Sequence, residues 1–359
     1  MRRLSAILAL VLLSQFLQAG TLYDSGDPSP AEQAVLELIN RARANPLAEG
    51  TRLGIDIKEG LSAQEASNVG VRPPLAMNKI LLGAARAHSQ DMWTRAFFAH
   101  TNPDGKSPDQ RVTAAGYNWT SFGENIATGS NHSAADLEDI LMIDAGVTGR
   151  GHRKNLLDII SSFKEIGVGF YSGSSANAMN YKNFLTQDFG GAGSGFFLVG
   201  VVYNDANGNG FYDIGEGLSG VTVTPDSGVF SALTGSAGAY TFPVGATGTL
   251  NVSLSGGGLA ANTATVILSA KNAKLDFKSP AAAGSGVTAP VVPANLIAVG
   301  ASTNQIDVTW TDASSNEDNF KLERSADGAT GWAPIATPLA NATAFSNTCL
   351  LYTSPSPRD

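Results

Sequence analysis

The sequence predicts a multidomain chain, in which an α+β domain is followed by two all-β sandwich modules, the last of them incomplete. Its 359 residues exceed the size of a typical single domain. Residues 29–142 show mostly helical patterns, and strand-like runs follow them. After residue 195 the pattern changes to short alternating strands separated by Gly/Ser turns. A hydrophobic content of 43% with 15% charged residues favours packed cores over disorder.

The net charge argues against one class of partner. The chain carries a formal charge of −8, and it has no basic run beyond its first three residues. Because phosphate backbones are bound through Lys and Arg, we do not expect a nucleic-acid-binding function.

The first 19 residues have the pattern of an export signal. Arg2 and Arg3 precede an apolar run over residues 4–17, and Ala19 provides a small residue for cleavage. The run is shorter than the ~20 residues that span a bilayer. We therefore expect a cleaved signal peptide, a secreted protein that is extracellular or associated with the cell surface, and no transmembrane segment in the mature chain.

The first domain, residues 29–190, contains several helix-start signals. Ser29 is followed by proline and, three residues later, by Glu32, which is a capping box. Further helices are predicted after Asn78, Ser107 and Ser133, and strands over residues 166–171 and 183–189.

All four histidines fall within this domain, between residues 88 and 152. His100 follows a long predicted helix, Glu124 lies in a Gly-Glu-Asn-Ile motif, and His152 lies in a Gly-His-Arg-Lys-Asn motif. Two neutral imidazoles could share a divalent cation such as Zn²⁺, and carboxylates could orient them or act as a general base. A polar network that only joins loops is the alternative. We expect His88 in the core or at its rim, and His132 in solvent or at a helix cap.

These motifs, in this order, resemble the CAP (SCP/PR-1-like) superfamily, whose pattern also includes the Gly-Val-Gly strand at residues 167–169. The resemblance implies an α-β-α sandwich with a cleft that holds two histidines and two acidic residues. His100, Glu124 and His152 match by motif, and Asp144 is the candidate for the second acid, although the tryptophan that precedes it in eukaryotic members is missing. The single cysteine, Cys349, excludes an intrachain disulfide, which fits a bacterial branch.

Three functions remain open for this cleft. The first is the binding of an extracellular lipid, glycan or cell-wall ligand. The second is metal-dependent hydrolysis of a protease-like kind through His100, His152 and Glu124. The third is a structural or adhesive surface protein. The sequence contains neither Gly-x-Ser-x-Gly nor His-Glu-x-x-His, so no catalytic nucleophile or zincin motif favours the enzyme.

The second module, residues 196–280, begins after a Gly-rich stretch at residues 190–195 that predicts a flexible break. It contains a twelve-residue loop that matches a Ca²⁺ ligand pattern at every defined position. The expected ligands are Asp205, Asn207, Asn209, the carbonyl of Phe211, Asp213 and Glu216. The flanking strands resemble the B-type repeats of serine-aspartate surface proteins, which implies that calcium stiffens the module. An Asn/Gly-rich hairpin turn is the alternative.

The remainder of the chain divides into three parts. Residues 281–293 form a Pro-containing linker. Residues 294–348, with Trp310 as the expected core residue, resemble a fibronectin type III domain that stops before its last strands. Residues 349–359 can be translated from a transposon-end sequencing adapter, so we expect this tail to be an artefact and the natural chain to diverge near Thr348.

Overall fold

The computed structural model describes residues 20–259, 262–279, 293–302, 305–313, 320–325, 328, 332–336, 338 and 342–347. The chain divides into two compact units, residues 1–281 and 282–359. The predicted signal peptide, residues 281–292 of the predicted linker and the tail at 349–359 lie outside the described residues. No helix in the described part is both long enough and apolar enough to cross a bilayer.

The first unit opens with a short strand and an α/β part. The strand is β1 (Thr21–Leu22). The helices are α1 (Pro30–Ala44), α2 (Pro46–Leu53), α3 (Ala63–Ser67), α4 (Lys79–Thr94), α5 (Pro108–Ala114), α6 (Ala134–Ile143) and α7 (Gly151–Leu156). The strands are β2 (Ala76–Met77), β3 (Ser121–Gly129), β4 (Glu165–Ser172) and β5 (Asn183–Gly191), in the sheet order β2-β4-β5-β3.

The predicted helix starts are confirmed. The Ser29 hydroxyl oxygen accepts a hydrogen bond from the Glu32 amide, the Glu32 carboxylate accepts one from the Ser29 amide, and Asn78 caps α4. Ser133 forms the equivalent box at α6. Each cap satisfies amide groups that have no partner inside the helix, so local sequence alone sets where these helices begin.

Helix α4 lies against the sheet at van der Waals distance because strand β4 carries two glycines. A Cβ on Gly167 would stand 2.0 Å from the carbonyl carbon of Leu81, and one on Gly169 would stand 2.2 Å from that of Ala85. The alternate residues, Ile166 and Val168, are fully buried on the other face, in the core that α1 and α6 also line. The Gly-Val-Gly motif therefore allows helices to cover both faces of one sheet.

The β part of the first unit consists of two packed sheets. Its strands are β6 (Phe196–Asn204), β7 (Val221–Pro225), β8 (Phe230–Leu233), β9 (Ala239–Val244), β10 (Gly248–Gly256), β11 (Asn262–Leu268), β12 (Ala273–Lys274) and β13 (Phe277–Ser279). One sheet has the order β1-β8-β7-β10-β11, and in the other β6 pairs with β9, β12 and β13. Both sheets contribute side chains to a single apolar core.

Several sets of contacts between described residues join the α/β part to the β part. Strand β1, at the start of the described chain, pairs in parallel with β8. The Lys274 ammonium lies 2.8 Å from the buried carboxylate of Glu37 on α1. The Asn272 side-chain amide donates to the carbonyl oxygens of Pro74 and Lys164, at 2.9 and 2.6 Å. Because these contacts are buried or charge-assisted, the two parts form one body.

The expected flexible break at residues 190–195 needs a correction at its start. Gly190 and Gly191 are paired residues of β5, opposite Phe122 and Ser121 of β3. A Cβ on Gly190 would stand 2.5 Å from the ring of Tyr117. These two glycines therefore permit close packing of a strand, and only residues 192–195 connect β5 to β6.

The described residues of the second unit form five strands in two small sheets. They are β14 (Ala294–Ser302), β15 (Gln305–Thr311), β16 (Leu322–Arg324), β17 (Ala333–Ala336) and β18 (Ala344–Asn347), arranged as β14-β15-β18 and β16-β17. Trp310 is buried, and its ring centroid lies 5.3 Å from that of Phe320. Every residue of β14 is exposed.

His88 lies on α4 and is buried, as predicted, with 2% exposure. Its Nε2 is 3.1 Å from the carbonyl oxygen of Ala99, which can only accept, so Nε2 carries the hydrogen. Its Nδ1 is buried without a hydrogen-bond partner in the described residues. Burial lowers the pKa of His88 from 6.5 to about 4, although the Glu124 carboxylate opposes this shift.

Replacement of Gly167 by alanine tests the contact between α4 and the sheet. We expect a loss of unfolding free energy at the upper end of the ~1–3 kcal/mol typical of overpacking, because the Cβ would overlap main-chain atoms that cannot move separately. Urea unfolding followed by circular dichroism measures the loss. Gly83→Ala is the matched control on α4, since a Cβ there meets nothing within 4 Å. Equal stabilities of both variants would contradict the contact.

His88→Gln tests the buried imidazole. Between pH 6.5 and about 4 the unfolded chain binds a proton at His88 that the folded chain does not, so this residue makes stability fall as the pH falls. Between pH 7 and pH 5 the contribution is about 2 kcal/mol. Glutamine keeps a donor to Ala99 but does not titrate. On going from pH 7 to pH 5, the unfolding free energy of the variant should therefore fall by about 2 kcal/mol less than that of the wild type, as measured by urea unfolding. Identical losses would contradict this assignment.

Candidate functional site

The first histidine–carboxylate pair joins His100 to Glu124. His100 lies in the loop after α4, and its Nδ1 is 2.7 Å from Oε1 of Glu124 on β3. The other carboxylate oxygen, Oε2, accepts from the guanidinium of Arg111 on α5, which also donates to the His100 carbonyl oxygen. Glu124 is buried while the His100 side chain is 49% exposed. The imidazole is thus anchored on one edge and open to solvent on the other.

The second pair joins His152 to Asp144. His152 Nδ1 lies 2.7 Å from Oδ1 of Asp144, and the amides of His152 and Arg153 donate to Oδ2 at 3.0 and 3.2 Å. Asp144 ends α6 in the left-handed conformation (φ 53°), which directs its carboxylate at the first turn of α7. Burial disfavours its charge, but the hydrogen bonds from His152 and the two amides outweigh this and hold the pKa of Asp144 below its ordinary value.

The side chain of Asn125 connects the two halves of the site. Its Nδ2 donates to the carbonyl oxygen of His152 at 3.2 Å and to Oε1 of Gln187 at 3.1 Å. Its Oδ1 accepts from Asn155 at 2.9 Å. The asparagines of the Gly-Glu-Asn and Gly-His-Arg-Lys-Asn motifs therefore bind each other. Gly123 leaves room for this contact, because a Cβ there would stand 3.2 Å from Oδ1 of Asn155.

An open cleft of about 400 Å³ has His152 in its lining. Most of its lining is apolar, and Asp144 and His152 supply the ionisable groups in it. Ile140, Phe98 and Val147 present large apolar surfaces to solvent, which is uncommon for such residues in one place. The remaining lining residues are Ile126, Ala127, Thr128, Leu141, Ile143, Ala145 and Tyr181.

Two further acids of the site were missed by the sequence analysis. Asp188 lies opposite Glu124 in the β3–β5 pair, and burial together with the Glu124 carboxylate raises its pKa well above the ordinary value. Glu138 on α6 is buried, accepts from Gln187 and also has a pKa raised well above its ordinary value, chiefly by burial. The polar run at residues 186–188, inside a predicted strand, was a signal for Asp188, but a sequence pattern does not show which of these side chains are buried.

Arg153, next to His152, was also missed. Its guanidinium is buried and donates to four main-chain carbonyl oxygens, those of Ile57, Glu59, Met142 and Ile143. It thereby connects the loop after α2 to the end of α6, next to Asp144. The Arg-Lys-Asn part of the histidine motif therefore has a structural role that supports the His152–Asp144 pair.

The structure keeps the two histidines in separate pairs. In both, a carboxylate accepts from Nδ1, which leaves the lone pair on Nε2 for another partner. Among the described residues, no three His, Cys, Asp or Glu side chains are grouped as metal ligands. His132, at the start of α6, is exposed and stands apart from both pairs.

The predicted calcium loop, residues 205–216, connects β6 to β7. Asn207 and Asn209 donate to the same Oδ2 atom of Asp213, at 2.8 and 2.7 Å. The two carboxylate oxygens of Glu216 accept from the amides of Ala206 and Asp213, both at 2.9 Å. Gly210 has φ 74°, the left-handed conformation expected at the sharp turn. The side chains at positions 1, 3, 5, 9 and 12 thus lie around one loop.

Comparisons with known proteins identify the α/β part. Residues 36–189 match the model of the CAP family, described as the cysteine-rich secretory protein family. The uncharacterized protein YkwD of Bacillus subtilis (strain 168) is 30% identical over 153 residues, which are 40% of this chain and 56% of that protein. The chain thus spans little more than half of this relative.

Solved structures include two similar proteins. One is an extracellular protein containing an SCP domain from Bacillus anthracis str. Ames, with 26% identity, 36% of each chain covered and a TM-score of 0.27. The other is an outer surface protein from Borrelia burgdorferi, with 14% identity, 41% of this chain and 96% of that chain covered, and a TM-score of 0.27.

The family match begins within α1 and ends within β5, so it includes both histidine–carboxylate pairs and the Asn125 junction between them. The resemblance inferred from the motifs is confirmed for this part of the chain: residues 36–189 are a CAP domain with bacterial relatives.

Proposed function

We propose that the protein is an extracellular binding protein, and that the cleft of its CAP domain takes an amphipathic, lipid-type ligand. The cleft carries this proposal, because a mostly apolar groove of about 400 Å³ has one oriented imidazole in its lining. Pockets for small molecules commonly combine apolar walls with a few placed polar groups. The hydrocarbon part would lie along Ile140 and Val147, and the polar end would lie at His152.

His152 is suited to hold the polar end of such a ligand. Asp144 accepts from its Nδ1 at 2.7 Å, so Nε2 of the neutral ring can accept a hydrogen bond from a hydroxyl group. The ring is held through Nδ1 by the buried Asp144 carboxylate, and the His152 side chain is 26% exposed. A fixed acceptor in the lining of a mostly apolar groove would orient the ligand and discriminate against purely hydrocarbon compounds.

A divalent cation such as Zn²⁺ is a second proposed ligand of the site. His100 and His152 would hold it through Nε2, since a carboxylate on the far nitrogen is the usual support of a metal-binding histidine. Such an ion would supply Lewis-acid chemistry, and the metal-dependent hydrolase depends on it. Because the described side chains form two separate histidine–carboxylate pairs and no larger group of metal-ligand residues, we favour ligand binding over the metal-dependent hydrolase.

The loop of residues 205–216 is the proposed Ca²⁺ site. Its donor set of carboxylate, amide and main-chain oxygens is the kind that calcium prefers. One observation supports a cation there: Oδ1 of Asp205, at the first position, is buried and has no hydrogen-bond partner in the described residues. Calcium at millimolar extracellular concentration would satisfy this oxygen.

Val147→Asp tests the apolar cleft. A charged group in the groove has to be dehydrated when the hydrocarbon chain enters, so we expect at least a tenfold loss of affinity for a fluorescent fatty acid, measured by fluorescence titration. Val71→Asp is the matched control, because Val71 is 73% exposed and lies outside the cleft lining. Binding that is equal in both variants, or saturable binding of soluble peptidoglycan fragments in place of the fatty acid, would contradict the lipid proposal.

A turnover assay, run beside the titration, separates binding from hydrolysis. Wild type, His100→Ala and His152→Ala are each incubated with Zn²⁺ and with peptide and ester substrates. Turnover that disappears in both variants would establish the hydrolase and overturn the binding proposal. Ligand capture without turnover supports it. If wild type shows neither, a structural or adhesive role remains.

A further inference from the structure

The calcium loop lies against the CAP domain. Phe211, at position 7 of the loop, has its ring 4.6 Å below the guanidinium carbon of Arg41 on α1. Tyr212, at position 8, is buried in a small cluster with Ala34 of α1 and with Val201 and Tyr203 of β6. Two consecutive loop residues therefore rest on one helix of the other part of the body.

Position 7 is the point at which such a loop binds calcium through its main chain. The carbonyl oxygen of Phe211 would be the ligand, while its ring is the group that contacts Arg41. A cation that holds this carbonyl also restricts the ring and the adjacent Tyr212. The direction of the Phe211 carbonyl, which calcium would require, and the position of the Phe211 ring on α1 are thus set by the same few main-chain bonds.

Position 1 already has a positive partner. Oδ2 of Asp205 accepts from the Gly210 amide at 3.1 Å and from the ammonium of Lys278 on β13 at 3.0 Å. The Asp205 side chain is 4% exposed, whereas that of Lys278 is 55% exposed. A divalent ion on Asp205 would repel the ammonium at this distance, and the long exposed lysine side chain can move away into water.

We propose that calcium binding to the loop is coupled to the docking of the β part on helix α1, and that calcium competes with Lys278 for Asp205. This inference rests on the proposed calcium site. It adds that the ion, bound outside the CAP domain, stabilises the contact between the β part and helix α1. By linkage, the factor by which the contact with α1 strengthens calcium binding is the factor by which calcium strengthens that contact.

Arg41→Gln tests the coupling from the CAP side. Loss of the cation–π contact should lower the affinity for Ca²⁺ about two- to fivefold, measured by isothermal titration of the full chain with calcium chloride. Arg52→Gln is the matched control, because Arg41 and Arg52 both bind Glu49 but only Arg41 contacts the loop. Hydrogen exchange of the α1 amides should also slow with calcium in the wild type, and less in Arg41→Gln.

The outcomes separate the two proposals. If the wild type binds no calcium at several millimolar, both the site and the coupling fail. If wild type, Arg41→Gln and Arg52→Gln bind calcium equally and α1 exchange is unchanged, the coupling is overturned while the site stands.

Lys278→Met tests the competition for Asp205. Removal of the ammonium should raise the calcium affinity about two- to fivefold at low ionic strength, and salt should reduce the difference. Lys271→Met removes one exposed positive charge from the same part and controls for net charge. An affinity that is unchanged, or raised equally by both substitutions, would overturn the role of Lys278.

Discussion

The buried amide of Asn125 is the group on which the geometry of the site depends. It donates to the main chain of His152 and to Gln187, and it accepts from Asn155, so one side chain joins β3, β5 and α7. Gln187 in turn donates to Glu138 on α6. Loss of one member would leave several buried polar groups without partners, which costs more than the hydrogen bond itself contributes. His152 is thereby kept at a fixed distance from the strand that carries Glu124.

Environment separates the roles of chemically similar acids around this junction. Asp144 is buried but accepts from an imidazole and two amides, which holds its pKa low. Asp188 is buried beside another carboxylate, and its pKa is raised well above the ordinary value. Asp144 is therefore favoured as an anion, and in this form it orients His152. Asp188 favours its protonated form next to Glu124. The result is a site with fixed imidazoles at the margin of a mostly apolar groove.

The body is larger than the CAP domain. Strand β1 pairs with β8, Lys274 pairs with Glu37, and Phe211 and Tyr212 rest on α1. The β part is thus an integral support of the helix that covers one face of the CAP sheet. Asn272 makes a similar connection to the main chain just before the neighbouring strands β2 and β4. A domain assignment based on composition treats these parts as separate, whereas their contacts are those of one folded unit.

Local sequence determined the helix starts at Ser29, Asn78 and Ser133, because a cap depends only on neighbouring residues. It also determined the identity of the CAP motifs and the two histidines that they contain. The tertiary structure decided the rest. Gly190 was expected in a flexible break, yet it is a strand residue against Tyr117. The hydrogen-bond partners of Arg153 and Glu138 lie 10 to 96 residues away in the sequence, and Asp188 faces Glu124 across a strand pair. No local pattern carries that information. Burial and long-range hydrogen bonds arise only when distant segments pack, which is why the charges of the acids and the contact between α1 and the calcium loop could not be derived from the sequence.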